Sequence, residues 1–491
     1  MVRASRRDVL FQIAFTAAVL AANAQAVIAA DAKNRPNVLI VLVDDMGYGD
    51  PGCYNPDSRI ATPNIDSLAR EGMRFLDAHA AGPLCHVSRY GLMTGRYPFR
   101  TNVARWPTEA VIEPSRTTIA SLLKEHGYRT AMVGKWHLGF DQRAYSQPWP
   151  GGPVDVGFDS FFGIRASTDI PPYFYIRDRL AVEPPTVPIE ANQSEGWSPI
   201  QGRFWRRGKI AENMQLEEVL PKFTDEAISI IESHHRAASA GDTQQPLMLY
   251  LALPSPHTPW LPSPDFAGQS EVGLYGDFMQ MVDAMIGRVL EALDTAGMAE
   301  ETLVIFSSDN GPVWYDRDVR KWQHDSAGDL RGMKGDAWEA GHRMPFIVRW
   351  PGRVAAGSTS DQMVCFTDLL ATLASIVGDE LATDEGPDSF DFSPALLGRE
   401  SSNPVRTSLV MESSAGLMSV REGPWKLIDG LGSGGFSRPS KVEPAPDGPR
   451  GQLYNLANDL GETQNLYDQH PEVVSRLRQI LKNAQQSPAT R

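Results

Sequence analysis

Asp44 and Asp45 follow directly on the apolar run 37–43, and Asp309 and Asn310 follow on a second such run, 302–308. Adjacent carboxylates repel and need either water or a cation. A solvated loop is the ordinary fate of one such pair, but the same arrangement at two strand-like ends favours a shared ion. Carboxylate and amide oxygens suit a hard divalent cation, calcium or magnesium, whereas zinc favours His and Cys. Groups of opposite character follow two further apolar runs: Lys135 and His137 after 128–133, and His257 after 247–253. Lys334 sits in a glycine-flanked loop, where ammonium and backbone can both approach an anion. Cys85 stands after Pro83 and four residues before Arg89, at the start of a short helix-like stretch. A thiol there meets the positive end of the helix and a guanidinium, which is expected to favour its ionised form and to attract an oxyanion. Singly, each of these residues has a bland reading as a surface or hydrogen-bonded group. Collected at several strand ends, they point to one site.

The elements that must position these groups follow from hydrophobic pattern. The runs at 37–43, 128–133, 247–253 and 302–308 are continuous rather than alternating, as strands buried on both faces are. Helix-period stripes alternate with them: Ile65, Leu68 and Ala69, then Ile119, Leu122 and Leu123, then Phe278 to Leu293. This alternation predicts an α/β fold, a large domain whose mostly parallel sheet is covered by helices on both faces. Ligand-binding groups in such sheets gather beyond the carboxyl ends of the strands. Short alternating segments at 408–411, 417–420 and 425–428, with a closing helix at 471–484, predict a small C-terminal α+β domain with an antiparallel sheet.

With 491 residues the chain is too long for one ordinary core. The expected division is an export segment at 1–30, a catalytic domain at 34–403 and a small domain at 404–491. Arg6-Arg7 before an apolar, alanine-rich run, with Ala-x-Ala sites such as 24–26, predicts twin-arginine export from a bacterial cytoplasm to the periplasm or beyond. That run is shorter than the roughly 20 residues of a spanning helix, and no later segment is apolar enough, so no stable membrane span is expected. A net charge of −14 argues against nucleic acid as a partner. Three cysteines are too few for a disulfide framework. The Pro-, Gly- and Trp-rich segment 141–215 reads as binding loops, its Arg203, Arg206 and Arg207 as a solvated charge run, and 430–450 as a mobile loop. The sequence carries no sign of an oligomeric state.

The stretch 82–98 resembles the signature of the formylglycine-dependent sulfatases, in which Cys-x-Pro-x-Arg or Cys-x-Ala-x-Arg is followed by a Leu-Thr-Gly-Arg element. Here it reads Cys85-His86-Val87-Ser88-Arg89 and Met93-Thr94-Gly95-Arg96, with Val87 where the family has Pro or Ala. From Pro36 to the 453–463 segment the chain is similar to type I, arylsulfatase-like enzymes of the alkaline phosphatase superfamily. The resemblance implies hydrolysis of the sulfate ester of a small molecule or carbohydrate, with release of inorganic sulfate. It implies calcium, with magnesium the alternative, on Asp44, Asp45, Cys85, Asp309 and Asn310. It also implies that Cys85 becomes formylglycine (3-oxoalanine) through a transient maturation enzyme. The implied catalytic set is Cys85, Arg89, Lys135, His137, His257 and Lys334 around the sulfate. In that chemistry the hydrated aldehyde carries two hydroxyls, one attacking sulfur and the other later collapsing to expel sulfate. His257 and Lys334 protonate the departing alcohol, and His137 assists the collapse.

Two other readings use the same residues. One is a phosphate or phosphonate ester hydrolase on the same fold. The other is a poorly matured, non-catalytic homologue that binds sulfated ligands, since Val87 alters the segment the maturation enzyme reads. Specificity is expected in loops 141–215, 260–275 and 312–328, where Trp205, Trp260, Trp314 and Trp322 either stack on the leaving group or pack.

Overall fold

The computed structural model describes residues 35–103, 108–399 and 403–491. The expected export segment, 1–30, lies outside the described residues, and the expected boundary at 403–404 adjoins residues that also do. No helix among the described residues is long and apolar enough to cross a membrane.

The large unit is organised on a sheet that has ten strands among the described residues. In chain order these are β1 (Asn37–Asp44), β2 (Met73–Phe75), β3 (Arg129–Lys135), β4 (Ser160–Ile164), β5 (Ile176–Arg177), β6 (Leu180–Ala181), β7 (Leu247–Pro256), β8 (Thr302–Ser308), β9 (Phe346–Arg349) and β10 (Ser358–Ser360). Their spatial order is β10-β2-β9-β8-β1-β7-β3-β4-β5-β6. The central neighbours β8, β1, β7, β3 and β4 are mutually parallel, and β9 joins antiparallel. The four continuous apolar runs are therefore adjacent strands. β7 and β8 are buried along their whole length, as strands covered on both faces are. β4, a short Phe-Phe run inside the Pro-rich segment, extends this parallel core where the sequence pattern predicts only loops.

Register decides where the strands end. Leu42 of β1 lies beside Ala252 of β7 and Ser307 of β8, and Ala252 lies beside Gly134 of β3. The residues after all four strands thus emerge along one edge. The helices α1 (Pro63–Glu71), α4 (Val219–Ala240) and α5 (Gly273–Thr295) form one packed group on the sheet; α2 (Cys85–Thr94), α3 (Ile119–Glu125) and α6 (Leu369–Val377) form another.

The C-terminal unit is an antiparallel sheet of β11 (Ser408–Glu412), β12 (Met418–Glu422), β13 (Trp425–Ile428) and β14 (Gln452–Asn455) in that order. Helix α7 (Pro471–Gln486) packs on it through Val473, Val474, Leu477 and Leu481. The two units are joined by buried charge. Lys426 Nζ of β13 lies 2.9 Å from Glu339 Oε1 and 3.0 Å from Glu462 Oε1, and all three side chains are buried. Burial and the neighbouring Glu339 push Glu462 up to about 7, against the pull of Lys426. Lys426→Ala would leave two buried carboxylates facing each other, and it is expected to lower the unfolding free energy by about 3–5 kcal/mol. Urea unfolding at neutral pH measures this directly; a loss below about 1 kcal/mol would mean the cluster does not hold the units together.

The loop 430–450 departs from expectation. Its first part is not mobile but is pinned to the large unit, with Ala337 N donating to Ser433 O at 2.8 Å and Ser437 N to Asp336 Oδ1 at 3.1 Å. A Gly/Ser/Pro composition removes periodicity from the sequence without removing main-chain bonding groups. All three cysteines are free.

Candidate active site

Cys85 is the first residue of α2, and Arg89 follows one turn later on the same side. Arg89 reaches the sheet edge: its Nε and Nη2 lie 2.9 and 2.8 Å from Asp309 Oδ2, and its Nη1 donates to Lys135 O at 2.8 Å. This anchors the helix to the ends of β8 and β3. At the end of β1 the chain turns sharply, Asp45 taking a left-handed φ of 67°. Consecutive strand residues point to opposite faces, so a break from extended backbone is needed for Asp44 and Asp45 to serve one site. His137 does the same after β3, with φ 60°. Asp and His are among the non-glycine residues that tolerate this region, at a cost of about 1–3 kcal/mol each.

The charges interlock. Lys135 Nζ lies 2.5 Å from Asp44 Oδ2. Lys334 Nζ pairs with Asp45 Oδ1 and lies 3.2 Å from Cys85 Sγ. Asn310 Nδ2 donates to Asp45 Oδ1 at 2.6 Å, and His257 Nε2 stands 3.6 Å from Asp45 Oδ2. Burial works to raise the Asp44 pKa, but Lys135 and then His257 hold it well below the usual range. Asp309 differs: burial and then the charge of Asp44 push it up to about 6 despite Arg89. Burial opposes the charged form of Lys135 and of Lys334, and the carboxylate beside each, Asp44 and Asp45, more than offsets it. His137 is held neutral by burial and by Lys135, and neither of its ring nitrogens has a partner among the described residues.

A hard cation fits this set. Asp44 Oδ1 and Asn310 Oδ1 are buried oxygens with no hydrogen-bond partner among the described residues. Buried polar atoms are seldom left so, and buried charges are paired or coordinate metals. Ligand atoms of Asp44, Asp45, Cys85 and His257 all lie within 4.8 Å of one another. Oxygen donors such as those of Asp44, Asp45, Asp309 and Asn310 suit calcium or magnesium better than zinc.

A small cavity opens over these groups. Of the ten residues singled out by spacing, Asp45, Cys85, His137, His257 and Lys334 line it. Asp44, Arg89, Lys135, Asp309 and Asn310 lie behind that surface, almost fully buried, so Arg89 and Lys135 reach the cavity only through the carboxylates they hold. The thiol corrects the expectation of an ionised cysteine. Burial and the nearby Asp44 push Cys85 up to about 12, outweighing Lys135 and Lys334, so it stays protonated at neutral pH. An unmodified thiol here is a poor nucleophile.

Sequence pattern misses several lining residues. Asp169 is buried, its Oδ1 without a hydrogen bond among the described residues but 3.9 Å from His257 Nδ1; Arg206 pairs with its other oxygen and lines the site. His86, Ser167 and Phe436 also line the cavity. Only the Arg203–Arg207 cluster carried a signal, its charge; the others sit in aperiodic loops. Of the two roles open to the tryptophans, packing is the one seen: Trp260 and Trp314 are buried and pack on Tyr275, and Trp322 stacks with Trp197 at 6.1 Å. Trp205 donates its indole N–H to Glu190 O. Val87 faces a neighbouring cavity with Ala81, Pro98 and Phe99, so its departure from the pattern does not alter the catalytic surface.

Residues 36–378 match the family model described as Sulfatase. The chain is 32% identical to an N-acetylgalactosamine-6-O-sulfatase of Bacteroides thetaiotaomicron, over 92% of this chain and 93% of that one. It is 34% identical to human arylsulfatase A, over 91% of this chain and 87% of that protein. Among solved structures, one from work on glycosaminoglycan metabolism by Bacteroides thetaiotaomicron superposes with a TM-score of 0.81 at 31% identity, covering 92% of this chain and all of that one.

Proposed function

Since the chain belongs to the sulfatase family and is therefore a sulfate ester hydrolase, we propose that it acts on a sulfated carbohydrate at the cavity over Cys85, with Cys85 matured to formylglycine and a calcium ion on Asp44, Asp45, Asp309 and Asn310. The observation that carries this reading is the meeting of four strand ends and the Lys334 loop on one buried cysteine. When present, formylglycine supplies the nucleophile and a route for expelling sulfate, and the cation offsets negative charge on the sulfuryl oxygens.

The remaining roles fall to side chains of this chain. Lys135 holds Asp44 ionised, and Lys135 and Arg89 keep Asp44 and Asp309 in place. Lys334, within 3.2 Å of Cys85 Sγ, and His257, beside Asp45, are placed to hold the ester and to give a proton to the departing alcohol oxygen. His137, neutral and unpartnered, is placed to accept a proton at the nucleophile side. Asp169 Oδ1 and Arg206 offer a carboxylate and a guanidinium to sugar hydroxyls, in keeping with the N-acetylgalactosamine-6-sulfatase relatives. The export segment at 1–30 and the twin-arginine route belong to the same proposal.

The test is inorganic sulfate release from N-acetylgalactosamine 6-sulfate and 4-nitrophenyl sulfate, with phosphate release from 4-nitrophenyl phosphate in parallel. Sulfate release that a chelator stops and calcium restores is expected; preferential release of phosphate would replace the reading. His257→Ala should slow the sugar sulfate by about 10²–10⁴-fold, since an alkoxide needs a proton to leave. The nitrophenyl ester, whose phenolate leaves unaided, should lose far less. Equal losses on both esters would remove His257 as the proton donor.

A further inference from the structure

One wall of the catalytic cavity comes from the small C-terminal unit. Phe436 lies in the loop between β13 and β14, and its ring lines the cavity beside Lys334. The ring is seated on the backbone of the lysine loop: a Cβ built on Gly335 would stand 3.0 Å from Phe436 Cδ1 and 3.2 Å from Cε1. Main-chain bonds from the same unit hold that seat. Ser414 N donates to Gly335 O at 2.9 Å, and Ala337 N donates to Ser433 O at 2.8 Å. Gly435, next to Phe436, makes backbone-to-backbone contact with the lysine loop; a Cβ there would lie 2.2 Å from the Gly335 carbonyl carbon and 2.5 Å from Asp336 N. The backbone that carries the ring is thereby fixed relative to the Lys334 loop by atoms that cannot change rotamer.

The same cavity presents Arg206 and Asp169 Oδ1, which is buried, accepts no hydrogen bond among the described residues and stands 3.9 Å from His257 Nδ1. One small volume therefore joins an aromatic surface to a few hydrogen-bonding groups, the combination by which pockets fix the orientation of a ligand. A pyranose has both complements: a C–H face that lies on an aromatic ring, and hydroxyls for a carboxylate and a guanidinium. We infer that Phe436 is a specificity-determining residue, the platform on which the sugar ring of the leaving alcohol is seated, and that the C-terminal unit thereby selects the substrate. The inference rests on the sulfate ester hydrolase reading given above and goes beyond it in assigning a role to the loop Leu431–Ser437.

The experiment separates leaving-group contact from sulfate contact. KM for N-acetylgalactosamine 6-sulfate is compared with the inhibition constant of inorganic sulfate, which has no ring to seat. Phe436→Ala is expected to raise KM about tenfold, the scale of one lost aromatic contact, and to move the sulfate constant by less than about twofold. Phe436→Tyr should restore KM, and Phe436→Leu should not. Gly435→Ala, which displaces Lys334, should instead lower kcat and weaken inorganic sulfate as well. A joint rise of KM and the sulfate constant in Phe436→Ala, an unmoved KM, or no rescue by Tyr would overturn the inference while leaving the hydrolase reading intact. A wild-type protein that releases sulfate from no ester would overturn both.

Discussion

Replacing Cys85 with alanine is expected to lower sulfate release by about 10⁴–10⁶-fold, the scale seen when a covalent nucleophile is removed from a working constellation. The effect should be almost wholly chemical. Alanine is a good residue for the first turn of α2, and Cys85 Sγ has one contact of note, the ammonium of Lys334 at 3.2 Å, which keeps its pairing with Asp45. Urea unfolding of the variant should therefore stay within about 1 kcal/mol of wild type, the range of mild substitutions. A variant that keeps a tenth or more of its turnover would show that the nucleophile arises elsewhere. One that loses both stability and turnover would leave the thiol as a packing residue.

Asp309→Ala is expected to fail twice. Asp309 and Arg89 are fully buried, and one carboxylate oxygen accepts from the guanidinium Nε and lies 2.8 Å from Nη2. Removing the acid strands the cation inside the protein, at a cost of about 3–5 kcal/mol. The same change removes an oxygen from the proposed calcium site, and turnover should drop by about 10³-fold or more, several kcal/mol of charge stabilisation. Asp309→Asn separates the two effects. Its amide oxygen can still accept from Arg89, so stability should largely return while turnover stays low and calcium activation shifts to higher concentration. Recovery of both by Asn would reduce Asp309 to a partner of Arg89.

The core of this site is legible in the sequence because of how parallel sheets are built. Strands covered on both faces read as unbroken apolar runs, so a polar residue at the end of a run marks a sheet edge. Asp44, Lys135, His257 and Asp309 are visible in that way; the alternation of strands and helices implies a parallel sheet, and the strand order that makes them neighbours is seen only in the structure. Asp169 and Phe436 are not visible, since they stand in segments with no period and are brought in by loop packing, and Arg206 shows only as one member of a charge run. The state of the Cys85 thiol is hidden for another reason. Helix end and Arg89 are local and favour ionisation, whereas burial and the charge of Asp44 are tertiary and win. The C-terminal loop shows the same limit: its glycines predict freedom, yet Gly435 is there because two backbones touch. The pairing of Arg89 with Asp309 is likewise a long-range contact that no spacing along the chain reveals.

The account stands on a modified residue at position 85, and the mass of the Cys85-containing peptide from the purified, folded protein tests it most directly. The thiol is held protonated and buried, and the proposed conversion supplies the reactivity it lacks. The predicted result is a peptide lighter than its cysteine form by the difference between a thiol and an aldehyde, despite Val87 in the maturation segment. A peptide of unmodified cysteine mass, from protein that nonetheless turns over sulfate esters, would contradict the account.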